Sequence, residues 1–171
     1  MQNWKQANPN RKIAARDLTT SNLSSVTAEW IGAACNPEAS RTTAQNEVLA
    51  LFNRLIADLP SANEYVFGVP MHNFAVPSVL KLWIDQIVRL GKTFSSSDGV
   101  PAGLRKNKKT AFIIASGGIY EAGRAMTSFD FVEPYPRSIF GFAGVTDTSF
   151  LAAGGVAALT WQNSTWMHPH C

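Results

Sequence analysis

Apolar and polar positions along the chain alternate in two different periods, and the switches between them mark a succession of helices and strands. From Ala44 to Leu59 the residues Val48, Leu51, Phe52, Leu55, Ile56 and Leu59 keep the i, i+3, i+4, i+7 spacing of an amphipathic helix. Tyr65-Val66-Phe67-Gly68-Val69 is a nearly continuous apolar run stopped by Pro70, the pattern of a parallel strand covered on both faces. A second helix follows, with Ser78 placed as its N-cap, Leu80, Trp83, Ile84, Ile87 and Val88 as its stripe, and Gly91 as its C′ residue. Thr110-Ala111-Phe112-Ile113-Ile114-Ala115 predicts another buried strand ending in Ser116-Gly117-Gly118, and Ser149-Phe150-Leu151-Ala152 a weaker last one. Nearer the start, Lys12 to Leu18 mixes apolar and charged positions as a short, partly exposed strand would, then runs into a Thr/Ser/Asn cluster suited to a loop.

Strands alternating with helices predict an α/β fold, a parallel sheet with helices on both faces. One domain is expected over residues 1–160, with 161–171 a loosely ordered tail. Ligands of such sheets bind beyond the carboxyl ends of the strands, where the loops after Val69 and Ala115 both lie. Thr93 to Gly103 (TFSSSDGVPAG) is polar and marked by Gly and Pro, and predicts a loop of the length that often serves as a lid or subunit contact.

Composition narrows the class. A chain of 171 residues, 46% apolar, suffices for one buried core. No apolar run reaches the ~18–20 residues of a membrane span, and the opening MQNWKQANP lacks the apolar centre of a secretory signal. A cytoplasmic protein with no membrane partner is expected. Cys35 and Cys171 are too far apart in sequence for a disulfide framework or a metal-ligand spacing. The formal charge of +3 comes from scattered basic residues, apart from Arg105-Lys106-Asn107-Lys108-Lys109, which reads as a solvated loop before a strand. Without an aromatic and basic platform, no nucleic-acid partner is expected. Trp166-Met167-His168-Pro169-His170-Cys171 groups two imidazoles with a thiol, but a chain end offers no supporting shell, so no metal site is expected.

The most informative stretch is Pro70-Met71-His72-Asn73-Phe74-Ala75-Val76-Pro77, where two prolines fix the backbone around an Asn and aromatic or soft side chains. A flavin ring needs such an arrangement: amides and an Asn for its polar edge, apolar side chains to stack and exclude water. On spacing alone a plain strand-to-helix turn accounts for it better, and Ser116-Gly117-Gly118 alone is an ordinary tight turn.

Pro70-Met71-His72-Asn73-Phe74, Val76-Pro77-Ser78, Leu80-Lys81, Trp83-Ile84-Asp85 and Gly91-Lys92-Thr93-Phe94 together resemble the flavin-site pattern of FMN-dependent NADH-azoreductases and their quinone-reductase relatives. The likeness continues through Gly103-Leu104, Ser116-Gly117-Gly118, Tyr120, Phe140-Gly141-Phe142 and Gly144-Val145-Thr146-Asp147. What it implies is a homodimer in which FMN is reduced by NADH and reoxidised by a quinone or azo compound, two half-reactions sharing one site. By the same resemblance Pro70, Met71, His72, Asn73 and Phe74 contact the isoalloxazine ring, and Ser116, Gly117 and Gly118 approach its pyrimidine edge. His72 stands where the family commonly has Tyr. Tyr120 lines the substrate pocket or is a half-buried structural residue; Phe140 and Phe142 border the partner's site or simply pack. No side chain need act as acid or base, because the cofactor carries the hydride chemistry.

The family pattern opens with a buried strand and a Ser-rich loop whose amides and hydroxyls cradle the FMN phosphate. Only eleven residues precede the first strand candidate here, against roughly thirty or more in a complete βαβ unit. The expected fold is therefore flavodoxin-like and three-layered, lacking its first strand and phosphate-binding loop. In strand order 2-1-3-4-5 the missing strand is central, so either the edge of strand three is exposed or strand two pairs with it directly. The rival to an active oxidoreductase is a redox-silent remnant with weak or no FMN binding.

Overall fold

In a computed structural model that describes residues 2–156, the chain runs α1 (Gln2–Ala7), α2 (Ala28–Cys35), α3 (Thr43–Ser61), β1 (Glu64–Pro70), α4 (Ser78–Ile87), β2 (Phe94–Ser97), β3 (Val100–Gly103), β4 (Lys109–Ala115), α5 (Pro134–Phe142) and β5 (Asp147–Ala153). The tail from 161 to 171, with its His and Cys cluster, lies outside the described residues.

Strands β1, β4 and β5 form a parallel sheet in the order β1-β4-β5. Its register sets Phe67 beside Phe112 and Phe112 beside Phe150, and their rings stack at 4.9 and 5.1 Å. Trp83 of α4 and Phe140 of α5 close over that row, at 5.4 Å from Phe67 and 5.3 Å from Phe112. Leu55, Ile56 and Leu59 of α3 join the same core, so α3, α4 and α5 all pack on one face. A smaller cluster ties Trp30 and Ala33 of α2 to Leu49 and Phe52 of α3.

The predicted amphipathic helix forms as α3 because both ends are satisfied. Thr42 accepts from the Gln45 amide while the Gln45 side chain accepts from the Thr42 amide, a reciprocal cap. At the other end Lys108 Nζ donates to the carbonyls of Pro60 (3.1 Å) and Ala62 (2.6 Å), a cation at the negative pole of the helix. The basic run is thus more than a solvated loop: Lys109 also pairs with Asp147, and the Arg105 guanidinium bonds the Lys92 carbonyl.

Several expectations are corrected. Lys12 to Leu18 forms no strand; only a 3-10 turn, Leu18–Thr20, ends it. Its backbone is separated from the edge of β1 by a cavity of about 730 Å³ lined by Ala14, Asp17, Leu55, Val66, Gly68 and Trp83 among others, too wide for strand hydrogen bonds to close. The ion pairs Arg11–Glu64 and Arg16–Asp58 hold it there. Of the two outcomes weighed for this edge, exposure is the one found among the described residues. Ser78 is the first helical residue of α4 and makes no capping bond; Pro77, buried and extended, sets the start. That helix ends at Ile87, before Gly91, whose φ of +73° instead turns the chain into β2.

The segment 93–103 is not a loop but the antiparallel hairpin β2–β3. Asp98 and Gly99 both have positive φ, 52° and 78°, as a two-residue hairpin turn of the Asp-Gly type demands. Among the described residues the sheet is covered on one face only: Val66, Ile113 and Leu151 on the other remain 66%, 50% and 57% exposed. This differs from the two-sided cover read from the apolar runs, which register total apolarity and not which residues do the covering.

Gly103 abuts the end of α5 so closely that a Cβ there would sit 2.2 Å from the Gly144 amide nitrogen. Backbone cannot yield as a side-chain tip can, so Gly103→Ala should cost about 3 kcal/mol in urea unfolding. Phe112→Ala, at the centre of the ring stack, should cost about 3–5 kcal/mol. A loss under about 1 kcal/mol in either would contradict this packing.

Candidate functional site

Parallel pairing of β1 with β4 ends at Pro70 beside Ala115, so the two following loops leave the sheet side by side. The Met71 amide extends the ladder by donating to the Ala115 carbonyl at 2.7 Å, and the Met71 side chain packs half-buried on the core. His72 and Ala75 then exchange hydrogen bonds of 3.0 Å each, closing a tight turn around Asn73 and Phe74. Both central residues are left-handed, with φ of 46° and 69°. Asn tolerates this region, whereas a bulky Phe there costs on the order of 1–3 kcal/mol. Its neighbours hold it: the Phe131 amide donates to the Phe74 carbonyl at 3.0 Å, and the Phe74 ring lies 5.3 Å from Phe129 and 6.2 Å from Tyr120.

The neighbouring loop is pinned differently. Ser116 is buried; its amide donates to Ala153 and its hydroxyl to the Gly118 carbonyl at 2.9 Å, which also accepts from the Gly155 amide. A Cβ on Gly118 would stand 3.1 Å from the Tyr120 ring, so glycine lets that half-buried ring lie close under the turn. Among the described residues the amides of Asn73, Phe74, Gly117 and Gly118 donate to no protein acceptor. Two adjacent loops thus present unspent donors, with His72 and Asn73 exposed beside them. Such donors suit the heteroatoms along one edge of a flat ring.

The candidate residues from 70 to 74 and from 116 to 118 are brought together, with Tyr120 between them. Phe140 is not: it is buried in the core against Phe67, Trp83 and Phe112. Phe142 packs on Phe94 at 4.7 Å and keeps 38% exposure, away from the two loops in this one chain. Met126, Phe129 and Phe131 escaped the sequence reading, because the stretch between Gly123 and Pro134 has no period. Their only signal is a pair of aromatics two residues apart. A cavity of about 400 Å³ beneath the loops is bordered by Met71, Ser116, Tyr120, Glu133, Arg137 and Gly154 among others. The Arg137 guanidinium lies 4.5 Å over the Phe150 ring and donates to Glu133 at 2.5 Å.

The hydroxyl-rich segment 17–21 does not offer an anion cradle. Thr19 donates to the Asp17 carboxylate through both amide and hydroxyl, and the Thr20 and Ser21 hydroxyls donate to the Asp17 carbonyl. Those donors are spent, the two from Thr19 on a carboxylate that carries a negative charge and the Thr20 and Ser21 hydroxyls on a backbone carbonyl. The Thr19 hydroxyl, and after it the Thr19 amide, hold the Asp17 carboxyl below its ordinary pKa. The site fits the ring of a flat heteroaromatic cofactor, while this segment does not fit the phosphate of one.

A parallel sheet with free donors over the carboxyl ends of two adjacent strands is the ligand-binding arrangement of open α/β proteins, the flavodoxin-like ones among them. A family model described as flavodoxin-like fold matches residues 1–164. Over 156 residues the chain is 46% identical to an FMN-dependent NADH:quinone oxidoreductase of Acidobacterium capsulatum, an alignment covering 91% of this chain and 76% of that protein. It is 40% identical to FMN-dependent NADH:quinone oxidoreductase 3 of Burkholderia lata, over 91% of this chain and 75% of that one. Among solved structures, an azoreductase from Bacillus anthracis strain Sterne aligns with a TM-score of 0.85 at 27% identity, covering 94% of this chain and 78% of that one. An FMN-dependent NADH-azoreductase from Bacillus anthracis strain Ames Ancestor, in complex with FMN, aligns with a TM-score of 0.74 at 27% identity, over 83% and 68%. The chain therefore belongs to the flavodoxin-like fold family, among its FMN-dependent NADH:quinone oxidoreductase and azoreductase members. Among the described residues no helix is long and apolar enough to cross a membrane.

Because the folded chain depresses the Asp17 pKa, the ionised carboxylate contributes stability at neutral pH that is lost as pH falls through the folded value. Asp17→Asn should thus be less stable than the parent at pH 7, with the gap narrowing below about pH 4. Urea midpoints measured from pH 7 to 3 check this, and a gap independent of pH would count against it.

Proposed function

We propose that this protein is an FMN-dependent NADH oxidoreductase acting on quinones and aromatic azo compounds. The reading rests on one observation above all: on two loops that leave adjacent parallel strands, the amides of Asn73 and Phe74 and those of Gly117 and Gly118 donate to no acceptor among the described residues. The names of the relatives support it. When bound, FMN would supply a two-electron store for hydride transfer from NADH to the acceptor, the two half-reactions following a ping-pong order.

The chain's own part is to bind, orient and keep water out. Pro70, Met71, His72, Asn73 and Phe74 hold the isoalloxazine ring, and the Asn73 side chain has both a donor and an acceptor for its polar edge. Ser116, Gly117 and Gly118 flank the pyrimidine side, with the Ser116 hydroxyl serving its own turn through Gly118. Tyr120 and Phe74 supply apolar walls. In this reading the protein is a cytoplasmic homodimer, and Phe142 borders the site of the second copy.

Titration of the purified protein with FMN and with riboflavin tests the reading. Both should bind, with dissociation constants within about tenfold of one another, since the ring donors are in place and the hydroxyls of segment 17–21 are already taken up by Asp17. NADH oxidation with a quinone should accompany binding, and Asn73→Ala should weaken flavin binding about tenfold. A colourless protein that neither takes up flavin nor oxidises NADH would instead be a redox-silent remnant of the fold.

A further inference from the structure

Among the described residues Arg89 is the one charged side chain that is buried, at 6% exposure, and it belongs to none of the ion pairs. It lies just beyond the end of α4, where its amide donates to the Thr93 hydroxyl at 2.9 Å and its carbonyl accepts from the Thr93 amide at 3.0 Å, so its backbone is fixed. The guanidinium stands 5.6 Å over the Trp30 ring of α2, and Nη1 donates to Asn53 Oδ1 of α3 at 3.2 Å. Neither partner carries a negative charge. The other guanidinium nitrogens meet no acceptor among the described residues, yet they are not sealed from solvent as Arg105 Nε is. A cation drawn out of water without a counter-ion is strongly unfavourable, and an anion that reaches it relieves the cost.

The surroundings add positive charge. Half-buried Arg41 spends its Nε on the carbonyls of Ala33 (3.0 Å) and Asn36 (3.1 Å), and its two Nη groups donate to no acceptor among the described residues. Lys92 pairs at 3.1 Å with Glu38, an exposed acid whose pKa is lowered first by that bond and then by the charges of Lys92, Arg41 and Arg89. Burial, and after it the charge of Arg41, lower the Arg89 pKa, and Glu38 alone opposes them. Three cations therefore surround one carboxylate, and that carboxylate is bonded to the most exposed of the three.

We propose that Arg89 and Arg41 form an anion site that takes a phosphate group. Planar guanidinium forks donate paired hydrogen bonds to the oxygens of such a group, and both arginines have donors to spare. Because Arg89 is recessed, only a small terminal anion reaches it, either free phosphate or the end of a phosphomonoester. The site is separate from the candidate ring site: α4 has ten residues, about 15 Å of helix, with the Pro70 to Pro77 loop before its start and Arg89 beyond its end. The inference stands independently of the oxidoreductase reading.

Calorimetric titration of the purified protein with sodium phosphate at neutral pH, with ionic strength held constant by sodium chloride, tests the site. Phosphate should bind saturably and raise the urea midpoint. Asn53→Asp gives Arg89 an internal carboxylate, so it should raise the midpoint without phosphate and weaken phosphate binding about tenfold. Arg41→Gln should weaken binding by a similar factor. A parallel titration with glycerol 3-phosphate separates the sources: comparable affinity assigns a phosphomonoester, and binding of inorganic phosphate alone assigns the free anion. Stabilisation that chloride reproduces at equal ionic strength would show screening only and overturn the site. Phosphate binding unchanged in Asn53→Asp would also overturn it, as would an Asn53→Asp protein no more stable than the parent, since Arg89 would then already be compensated. Loss of self-association in Arg41→Gln, with no phosphate binding by the parent, would assign the two arginines to carboxylates of a second copy and likewise overturn it.

Discussion

Parallel pairing of β1 with β4 is the constraint on which the rest of the molecule depends. The register that sets Glu64 against Lys109 also ends Pro70 against Ala115, and backbone hydrogen bonds permit no partial shift. Inside the protein it aligns Phe67 with Phe112 and, through β5, Phe112 with Phe150, making the stack that Trp83 and Phe140 close. At the carboxyl end it brings together two loops in which the amides of Asn73, Phe74, Gly117 and Gly118 donate to no acceptor among the described residues. Core and site are therefore two readings of one ladder.

Strain at the site is carried by packing away from it. Phe74 sits where an L side chain is unfavourable, and its turn is held by the reciprocal bonds of His72 and Ala75 and by the segment that ends at Asp130 and Phe131. That segment is in turn anchored to α5, whose Phe140 lies in the core. A chain of packing, side-chain and backbone bonds thus runs from the ring stack to the exposed turn, which is how a loop comes to present amides in a preset geometry. The opposite condition holds at the edge of β1, where Arg11 and Arg16 reach across a wide cavity to acidic partners and no backbone ladder forms.

Much of this was legible beforehand, and the misses share a cause. The stripes of α3 and α4 and the apolar runs of β1 and β4 declare themselves because burial imposes a period or a continuous run on contiguous residues. The loop after Pro70 was recognisable from its two prolines, its Asn and its likeness to a flavin-site pattern. The hairpin at 94–103 was missed although Asp98-Gly99 is a strong local turn signal, since its flanks, Ser95-Ser96-Ser97 and Pro101-Ala102, carry too little apolar pattern to look like strands. Lys12 to Leu18 shows the converse: a strand-like pattern forms no strand when no partner edge lies within hydrogen-bonding reach.

By itself the sequence determined α3, β1, α4, β4 and β5, their order, and the two loops that are candidates for the site, because those depend on neighbours along the chain; α2 and α5, which also bury residues in the core, it did not mark. Only the tertiary structure decided that Phe140 belongs to the core and not to the pocket, that Lys108 caps a helix, and that Phe129 and Phe131 join Phe74 beside the candidate ring site. Each of those outcomes turns on contacts between residues dozens of positions apart, or on which face of a sheet the described helices cover. The alternation of apolar and polar residues records how much surface must be buried. It does not record what will bury it.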